Sequence, residues 1–290
     1  MNGLQRSFFP GDSWLYIKVY TGYKTADRLL RNEIPAVVDR LLDTQAISKW
    51  FFIRYSDPEL HLRLRFLLTD NAKVGIPILL LNQALNRFVE NDMVWKVQLD
   101  TYKREVERYG ADTIEFSESL FFCDSVCFTQ ILNALHGEEI EVESYRWRLA
   151  LASIDYLLND FSYNLKQKVE FVSKVKDNHA REYGLINSRS QLSNKFRTHR
   201  KEIESLLDAQ DEKHRAFHLI METRSKKQKS VCEKIIQLIP QSEKLNALLS
   251  NYTHMMMNRW FRTKQRMHEA VVYDFLLKYY KSKTAKEKLL

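Results

Sequence analysis

The first hundred residues alternate between strand-like and helix-like patterns of apolar positions. Four runs rich in β-branched and aromatic residues have the length of strands: 13–20, 49–55, 61–68 and 94–102. The turn sequence Ser-Asp-Pro-Glu at 56–59 joins the second run to the third. Apolar residues at helical spacing predict helices over 25–42, where Pro35 marks an irregularity, and over 71–89. The order β-α-β-β-α-β predicts a ferredoxin-like unit in this part of the chain.

Beyond Gly110 nearly every window shows a period of 3.6 residues, so we expect the remainder to be helical. The pattern predicts helices near 112–136, 142–160, 162–181, 190–208, 212–238 and 242–280. The breaks are the sequences HGEE, YG and IPQS, at 136–139, 183–184 and 239–242. The expected fold class is therefore α+β, with an α/β part over 1–110 and a helical part over 111–290. Since no Pro/Gly/Ser linker separates them, we expect one integrated domain.

Composition excludes several classes of protein. Of the 290 residues, 44% are hydrophobic and 12% aromatic, which is too apolar for a disordered chain and unlike collagen. No stretch approaches the roughly 18 apolar residues that a membrane span needs, and no secretion signal is visible. The three cysteines form no CxxC pair and lie near no histidine cluster. We therefore expect a cytoplasmic protein without a disulfide framework, a metal site or a cofactor.

The net charge of +8 is concentrated in one segment. Residues 161–234 contain 17 Lys and Arg against 10 Asp and Glu. Such a segment suits an acidic protein, an anionic peptide or nucleic acid, or else the solvated faces of long helices.

Two arginines stand two residues apart on the predicted strand 61–68. Alternation places Leu62, Leu64 and Phe66 on one face and His61, Arg63, Arg65 and Leu67 on the other. Arginine suits bidentate recognition of a carboxylate or phosphate, so this face is a candidate anion site. The alternative is a strand face simply exposed to water.

A second polar cluster follows the last predicted strand. In YKREVERYG (102–110), Glu105 and Arg108 are three residues apart and would share a helical face. The pair is either part of a functional site or an ion pair at the surface. Nearby, we expect Glu118 and Asp124 to cap and solvate a helix rather than to act in catalysis.

The third cluster is NYTHMMMNRWF (251–261). His254 and Asn258 are four residues apart on one helical face, and Arg259 adjoins them. Histidine exchanges protons near neutral pH, but a histidine between methionines also suits a structural role in the interior. No phosphate-loop, dinucleotide-binding, zincin or serine-hydrolase motif is present.

Taken together, these clusters resemble a known family. The chain is similar to the elimination domain of class I lanthipeptide dehydratases, which also occurs as a stand-alone thiopeptide-type bacteriocin biosynthesis protein. The matching segments are GDSWLYIKVYTG, FFIRYSDPELHLRLRF, YKREVERYG, FFCDS and HMMMNRWF, at 11–22, 51–66, 102–110, 121–125 and 254–261. They are spread over most of the chain.

The resemblance implies a lyase that removes glutamate from glutamylated Ser or Thr side chains and leaves dehydroalanine or dehydrobutyrine. By similarity, Arg63, Arg65 and Arg108 bind the glutamyl group and stabilise developing charge, while His254 handles a proton. Glu105 orients the arginines or takes part in proton transfer. The same similarity assigns substrate binding to a further set: His61, Asn258 and Arg259.

The resemblance also implies partners. The substrate is a ribosomally synthesised precursor peptide with a leader, and the family's glutamyl-tRNA-dependent domain has no counterpart in these 290 residues. We therefore expect a separate glutamylating protein, and a homodimer is possible.

Two alternatives remain open at this point. Relatives of this size act as pyridine synthases, which join two dehydroalanines in a ring and expel the leader; retention of the Arg, Glu, Arg and His set favours elimination. Ala111, where the family has glycine after ERYG, is a departure that changes the local turn. The other alternative is a non-catalytic module that binds a leader peptide or tRNA, supported by the basic segment 161–234.

Overall fold

The computed structural model describes residues 3–135, 139–183, 189–208, 212–240 and 242–287. Within these ranges the chain is α+β, with long helices and two small antiparallel sheets. Contacts within the chain divide it into two compact units, Met1–Leu135 and His136–Leu290. The sequence analysis places a boundary near Gly110, whereas the helix Ile114–Ala134 clusters with the first unit because it packs on a strand of that unit's sheet.

The first unit contains six strands and five α-helices among its described residues. In chain order they are β1 (Ser7–Phe8), β2 (Trp14–Thr21), α1 (Tyr23–Arg28), α2 (Ile34–Asp43), β3 (Ile47–Tyr55), β4 (His61–Leu68), α3 (Gly75–Glu90), β5 (Val94–Asp100), β6 (Tyr102–Lys103), α4 (Val106–Tyr109) and α5 (Ile114–Ala134). The main antiparallel sheet has the order β3-β4-β2-β5, and β1 pairs with β6 in the small sheet. The elements from β2 to β5 follow the predicted succession, while their assignment to a ferredoxin-like unit stays a prediction.

Strand β4 shows how alternation separates the faces of the sheet. Leu62, Leu64 and Phe66 are almost completely buried on one face, as the alternation predicts. His61, Arg63 and Arg65 project from the other.

The helical segment before β3 is irregular, as Pro35 indicates. A π-helical turn, Leu29–Glu33, separates α1 from α2, and Pro35 lies in the first turn of α2. Proline has no N–H to donate to the preceding turn, so the regular hydrogen-bond ladder cannot run through this position.

The described residues of the second unit form helices and the connections between them, without a strand. Its α-helices are α6 (Glu139–Asp160), α7 (Leu165–Tyr183), α8 (Arg189–Leu207), α9 (Arg215–Leu238), α10 (Glu243–Trp260) and α11 (Gln265–Glu287). Two of the three predicted breaks, HGEE and YG, fall mainly on residues outside the described ranges. None of the described helices is long and apolar enough to cross a membrane.

The prediction of one helix over 242–280 is wrong, because the chain leaves the helical conformation after Trp260. Phe261 has extended backbone angles, and Lys264 adopts a left-handed conformation with φ of 49°. Phe261 is buried and its ring stacks on His268 at a centroid distance of 4.4 Å. This packing compensates for the interrupted backbone hydrogen bonds. The sequence has no proline or glycine at this position that would have predicted the end of the helix.

Candidate functional site

One face of the first unit's sheet carries three aligned pairs of polar side chains. Strand pairing places Tyr16 opposite Arg65, Lys18 opposite Arg63 and Tyr20 opposite His61. Because alternate residues of a strand project to the same side, these six side chains share one face. Arg65 is only 7% exposed and His61 only 1%, so the alternative of a strand face open to water is wrong for these two residues.

The Arg65 guanidinium lies in an aromatic box. Its central carbon is 4.6 Å from the ring centroid of Tyr16, 4.9 Å from that of Tyr102 and 5.2 Å from that of Phe51. Burial lowers the pKa of Arg65, while Tyr102, Tyr16 and Glu105 act in the opposite direction. Arginine nevertheless keeps its charge in proteins, so a full cation lies in this box.

No described residue neutralises Arg65 by direct contact. The atoms Nε and Nη1 of Arg65 are buried without a hydrogen-bond partner, as is the hydroxyl of Tyr16. Isolated buried cations are costly, and orphaned buried donors are rare in folded proteins. The arrangement is typical of a site that holds an anion.

His61 and Arg63 are coupled to each other. The Nδ1 of His61 is 2.7 Å from the carbonyl oxygen of Glu59, and the Nε of Arg63 donates to Nε2 of His61 at 3.0 Å. These contacts fit a neutral imidazole with its proton on Nδ1, and burial lowers the pKa of His61 accordingly. The guanidinium of Arg63 also stacks on the ring of Tyr55, 3.4 Å from its centroid. His61 therefore orients Arg63.

Lys18 is a residue on this face that the sequence analysis did not single out. It forms an ion pair with Asp100 of β5, which raises the pKa of Lys18 against the effect of burial. The signal was available, because Lys18 alternates with Tyr16 and Tyr20 in the run WLYIKVY.

A buried ion pair fixes one wall of the aromatic box. Arg104 donates from Nε and Nη2 to the two carboxylate oxygens of Glu118, each at 2.7 Å. The Tyr102 hydroxyl donates to Glu118 at 2.9 Å, and burial together with that carboxylate raises the pKa of Tyr102. The expectation that Glu118 and Asp124 solvate a helix is wrong, since both are buried in α5. Glu118 instead holds the Tyr102 ring that contacts Arg65.

Glu105 and Arg108 form the predicted pair at the surface. The chain leaves β6, turns into the short helix α4, and brings Nη1 of Arg108 to 3.2 Å from Oε2 of Glu105. The Arg108 side chain is 36% exposed and the Glu105 side chain is 60% exposed. The pair itself contributes little to stability, which leaves both groups accessible to a ligand.

In the second unit, His254 belongs to a network around a buried carboxylate. Its Nδ1 is 3.1 Å from Oε2 of Glu269 and 2.8 Å from Nη1 of Arg266. No described residue hydrogen-bonds the other ring nitrogen of His254. The side chain is 15% exposed, so it is anchored through Nδ1 while Nε2 is available to exchange a proton.

Glu269 is the residue of this network that the sequence analysis missed. Its carboxylate also accepts a hydrogen bond from the Tyr273 hydroxyl at 2.9 Å and lies 3.7 Å from Nε2 of His179. Burial by itself would raise the pKa of Glu269, but the nearby His179 and the hydrogen bonds from His254 and Tyr273 outweigh it and hold the pKa far below its usual range. Glu269 thus stays ionised beside His254. No local motif marks it, because it lies on the next helix.

Asn258 and Arg259 take different places on α10. The Asn258 amide donates to Oε1 of Gln265 at 3.3 Å, beside the His254 network. Arg259 is 1% exposed and donates to the carbonyl of Met255 at 3.1 Å, so it occupies the interior. Their roles in substrate binding stay predictions.

Each unit also has a cavity away from these clusters. One of about 530 Å³ in the first unit is lined by residues that include Trp14, Lys49, Arg104 and Glu118, but none of the predicted site residues. One of about 280 Å³ in the second unit has Asp155 and Lys168 in its wall, and those two side chains pair with each other. Among the described residues, no group of three or more His, Cys, Asp or Glu is placed to hold a metal ion.

The basic segment 161–234 is partly neutralised within the chain. Lys168 pairs with Asp155, Lys176 with Asp274 and Arg200 with Glu204. These ion pairs take up part of the segment's positive charge, and both interpretations of the segment stay predictions.

Comparison with known protein families gives one match along most of the chain. Residues 14–280 match the model of the carboxy-terminal part of the lantibiotic biosynthesis dehydratases. The match includes every predicted site residue.

Two curated relatives match part of the chain. The subtilin biosynthesis protein SpaB of Bacillus subtilis is 26% identical over 176 residues, which are 60% of this chain and 16% of SpaB. The nisin biosynthesis protein NisB of Lactococcus lactis subsp. lactis is 28% identical over 184 residues, 60% of this chain and 18% of NisB. These matches span less than a fifth of either relative.

Three solved structures share the fold. The tRNA-dependent lantibiotic dehydratase MibB from Microbispora sp. 107891 aligns with a TM-score of 0.69 and 20% identity, covering 93% of this chain and 28% of MibB. TsrL aligns at 0.63 with 11% identity, covering 96% of each chain. The pyridine synthase TbtD from thiomuracin biosynthesis aligns at 0.64 with 11% identity, covering 93% of this chain and 99% of TbtD.

Proposed function

The chain belongs to the family of lantibiotic biosynthesis dehydratase carboxy-terminal domains, and we propose that it eliminates glutamate from glutamylated Ser and Thr side chains of a precursor peptide. The enzyme is then a lyase of lanthipeptide or thiopeptide biosynthesis. It acts in the cytoplasm, after a separate protein has transferred glutamate from glutamyl-tRNA to the peptide.

The observation that carries this proposal is the buried, unneutralised Arg65. Both the substrate and the product of the reaction present a carboxylate, which is the group that an arginine recognises with two parallel hydrogen bonds. Arg63 lies two residues away on the same face and also makes no ion pair with a described carboxylate. The two cations together suit a glutamyl group.

The chemistry explains why permanent cations are needed. A base removes the Cα proton, the electrons of that bond form the Cα=Cβ double bond, and the Cβ–O bond breaks so that glutamate leaves as a carboxylate. Negative charge develops on the amide oxygen next to Cα and on the leaving group. Fixed cations in a site with little water stabilise such charge more in the transition state than in the bound ester.

His254 is the proposed proton-transfer group. With its proton on Nδ1 the ring donates to the Glu269 carboxylate, so the imidazole has a fixed orientation and the lone pair of Nε2 can accept a proton. A carboxylate behind a histidine also stabilises the imidazolium that forms when the ring accepts a proton. Glu269 is therefore proposed as a positioning residue for His254.

The sheet order β3-β4-β2-β5 supports assigning the first unit to the ferredoxin-like folds. In that arrangement the first and third strands are central neighbours. The polar pairs of β2 and β4 then occupy the centre of the sheet.

The proposal is tested with purified protein and a peptide that carries the cognate leader and chemically glutamylated Ser or Thr. Wild-type protein should release one glutamate per site and leave a dehydrated residue, as measured by mass spectrometry. Arg65→Gln and His254→Ala should leave glutamylated peptide. Arg87→Gln is the matched control, because Arg87 is an exposed arginine of the first unit paired with Glu33.

A second candidate function is ring formation between two dehydroalanines. It is favoured by the alignment that covers nearly the whole of the pyridine synthase TbtD. Unchanged glutamylated peptide together with conversion of a bis-dehydroalanine peptide would establish this function instead. If neither peptide reacts, a non-catalytic module that binds the leader or tRNA becomes the better account.

A further inference from the structure

The two edges of the four-stranded sheet differ, because one is covered by a helix and the other is open. At the β3 edge, helix α5 packs on the strand, and the backbone N–H of Phe52 donates to the Ser125 hydroxyl at 3.3 Å. At the other edge, β5 pairs with β2, and no further described strand pairs with its outer side. The outer backbone groups of β5 therefore form an open edge that can accept another strand.

The open edge is unusually apolar. Val97 and Leu99 share one face of β5 and are 48% and 42% exposed, and Trp95, at an irregularity in the pairing of β5 with β2, is 49% exposed. Natural edge strands are normally protected by charges, prolines or bulges. In β5 the irregularity lies at Trp95, so the stretch from Lys96 to Asp100 is regular and can pair with another strand. Exposed apolar residues beside an unpaired strand edge are typical of an interaction surface.

We propose that β5 pairs in antiparallel orientation with β5 of a second copy of this chain, with the two-fold axis at Gln98. The two sheets then join into one continuous eight-stranded sheet. The interface is isologous, since each residue of one copy meets its register partner in the other.

The sequence of β5 favours a second copy in this register. A two-fold axis perpendicular to the sheet keeps each face on its own side, so it pairs residues of the same parity. With the axis at Gln98, Val97 faces Leu99 of the other copy, and Lys96 faces Asp100. Among the symmetric registers, this one alone sets Lys96 against Asp100, and such cross-strand opposite charges stabilise antiparallel pairs.

The charged groups are placed to make that contact. Lys96 is exposed, with its ammonium 4.9 Å from the ring centroid of Tyr20. Asp100 already pairs with Lys18, but its side chain remains 34% exposed and a carboxylate accepts several donors. Two Lys96–Asp100 pairs would thus flank the axis symmetrically.

A cysteine at the axis gives a register-specific test. In the proposed dimer the two copies of residue 98 face each other with Cα atoms about 4.5–5.5 Å apart, within the range that a disulfide spans. Gln98→Cys should therefore form a covalent dimer under mild oxidation. Lys96→Cys is the matched control, because its two copies lie about 14 Å apart along the strands and should not form a disulfide with each other.

The oligomeric state tests the surface without cysteine chemistry. Wild-type protein should be dimeric by light scattering after size exclusion, and Val97→Lys should elute as a monomer at the same concentration. Leu219→Lys, which alters an apolar residue that is 54% exposed on α9, should remain dimeric. Circular dichroism checks that all variants are folded.

Three results would overturn the proposal: a monomeric wild type, a dimer that persists in Val97→Lys, or a Gln98→Cys protein that crosslinks no better than Lys96→Cys. None of these measurements depends on elimination activity.

Discussion

The two units bury charge in opposite ways. In the first, the Arg65 cation lies among aromatic rings, and two of its nitrogens lack a hydrogen-bond partner. In the second, the buried Glu269 carboxylate is surrounded by Tyr273, His254 and Arg266, with His179 nearby. In the first arrangement, hydrogen-bond donors of Arg65 are left for a ligand. In the second, the hydrogen bonds of Glu269 hold His254 in place.

This difference separates residues kept for a ligand from residues kept for the fold. An unneutralised buried cation costs stability that only a bound anion recovers, so its removal should harm activity and spare the fold. Removal of a satisfied buried carboxylate should instead lower the stability of the fold.

The largest effect is expected at Arg65. Arg65→Met keeps an unbranched side chain among the rings but removes the cation, and elimination should fall by about 100- to 1000-fold. The free energy of unfolding should rise by about 1 kcal/mol, because the desolvated charge is gone. Peptide turnover and urea denaturation measure the two quantities; a loss of stability would contradict the contrast.

The next effect is expected at Glu118, which belongs to the first unit but resembles Glu269 in being fully partnered. Glu118→Gln should lower the free energy of unfolding by about 3 kcal/mol, because it leaves the buried Arg104 uncompensated. Glu115→Gln is the control, since Glu115 also contacts Arg104 but its side chain is 67% exposed. Equal effects of the two substitutions in urea denaturation would rule out a special role for the buried pair.

A smaller, pH-dependent effect is expected at Glu269. Its folded-state pKa lies below the ordinary value of 4.5, so its stabilisation is complete above that pH and is lost as the pH falls through the folded-state pKa. Glu269→Gln should therefore lower the free energy of unfolding by about 2 kcal/mol at pH 7, and this difference should shrink below about pH 4.5. Denaturation curves across this range measure it, and a difference independent of pH would refute it.

The smallest effect is expected at Glu105. Glu105→Gln should change the free energy of unfolding by less than about 0.5 kcal/mol, since its pair with Arg108 is exposed. Elimination should fall by about ten-fold, in keeping with a role in orienting arginines. A stability loss with unchanged turnover would instead mark the pair as structural.

The periodic patterns of the sequence were sufficient for most elements of the fold. Alternation in 61–68 located both faces of β4, and the 3.6-residue period located the helices beyond Gly110. These predictions succeed because strand and helix geometry act over a few neighbouring residues. The interruption of the helix between Trp260 and Gln265 was not predicted, because the burial and ring stacking of Phe261 are tertiary contacts.

In the candidate site, too, some features follow from the sequence and others only from the tertiary structure. The sequence alone determined that Arg63 and Arg65 share a face, that Glu105 and Arg108 are within reach of each other, and which family the motifs resemble. Only the tertiary structure decided that Arg65 is buried without a counter-charge, that Glu118 fixes Tyr102 and that Glu269 accompanies His254. Burial and pairing of charges depend on residues far apart in the chain, and local spacing carries no information about which of them meet.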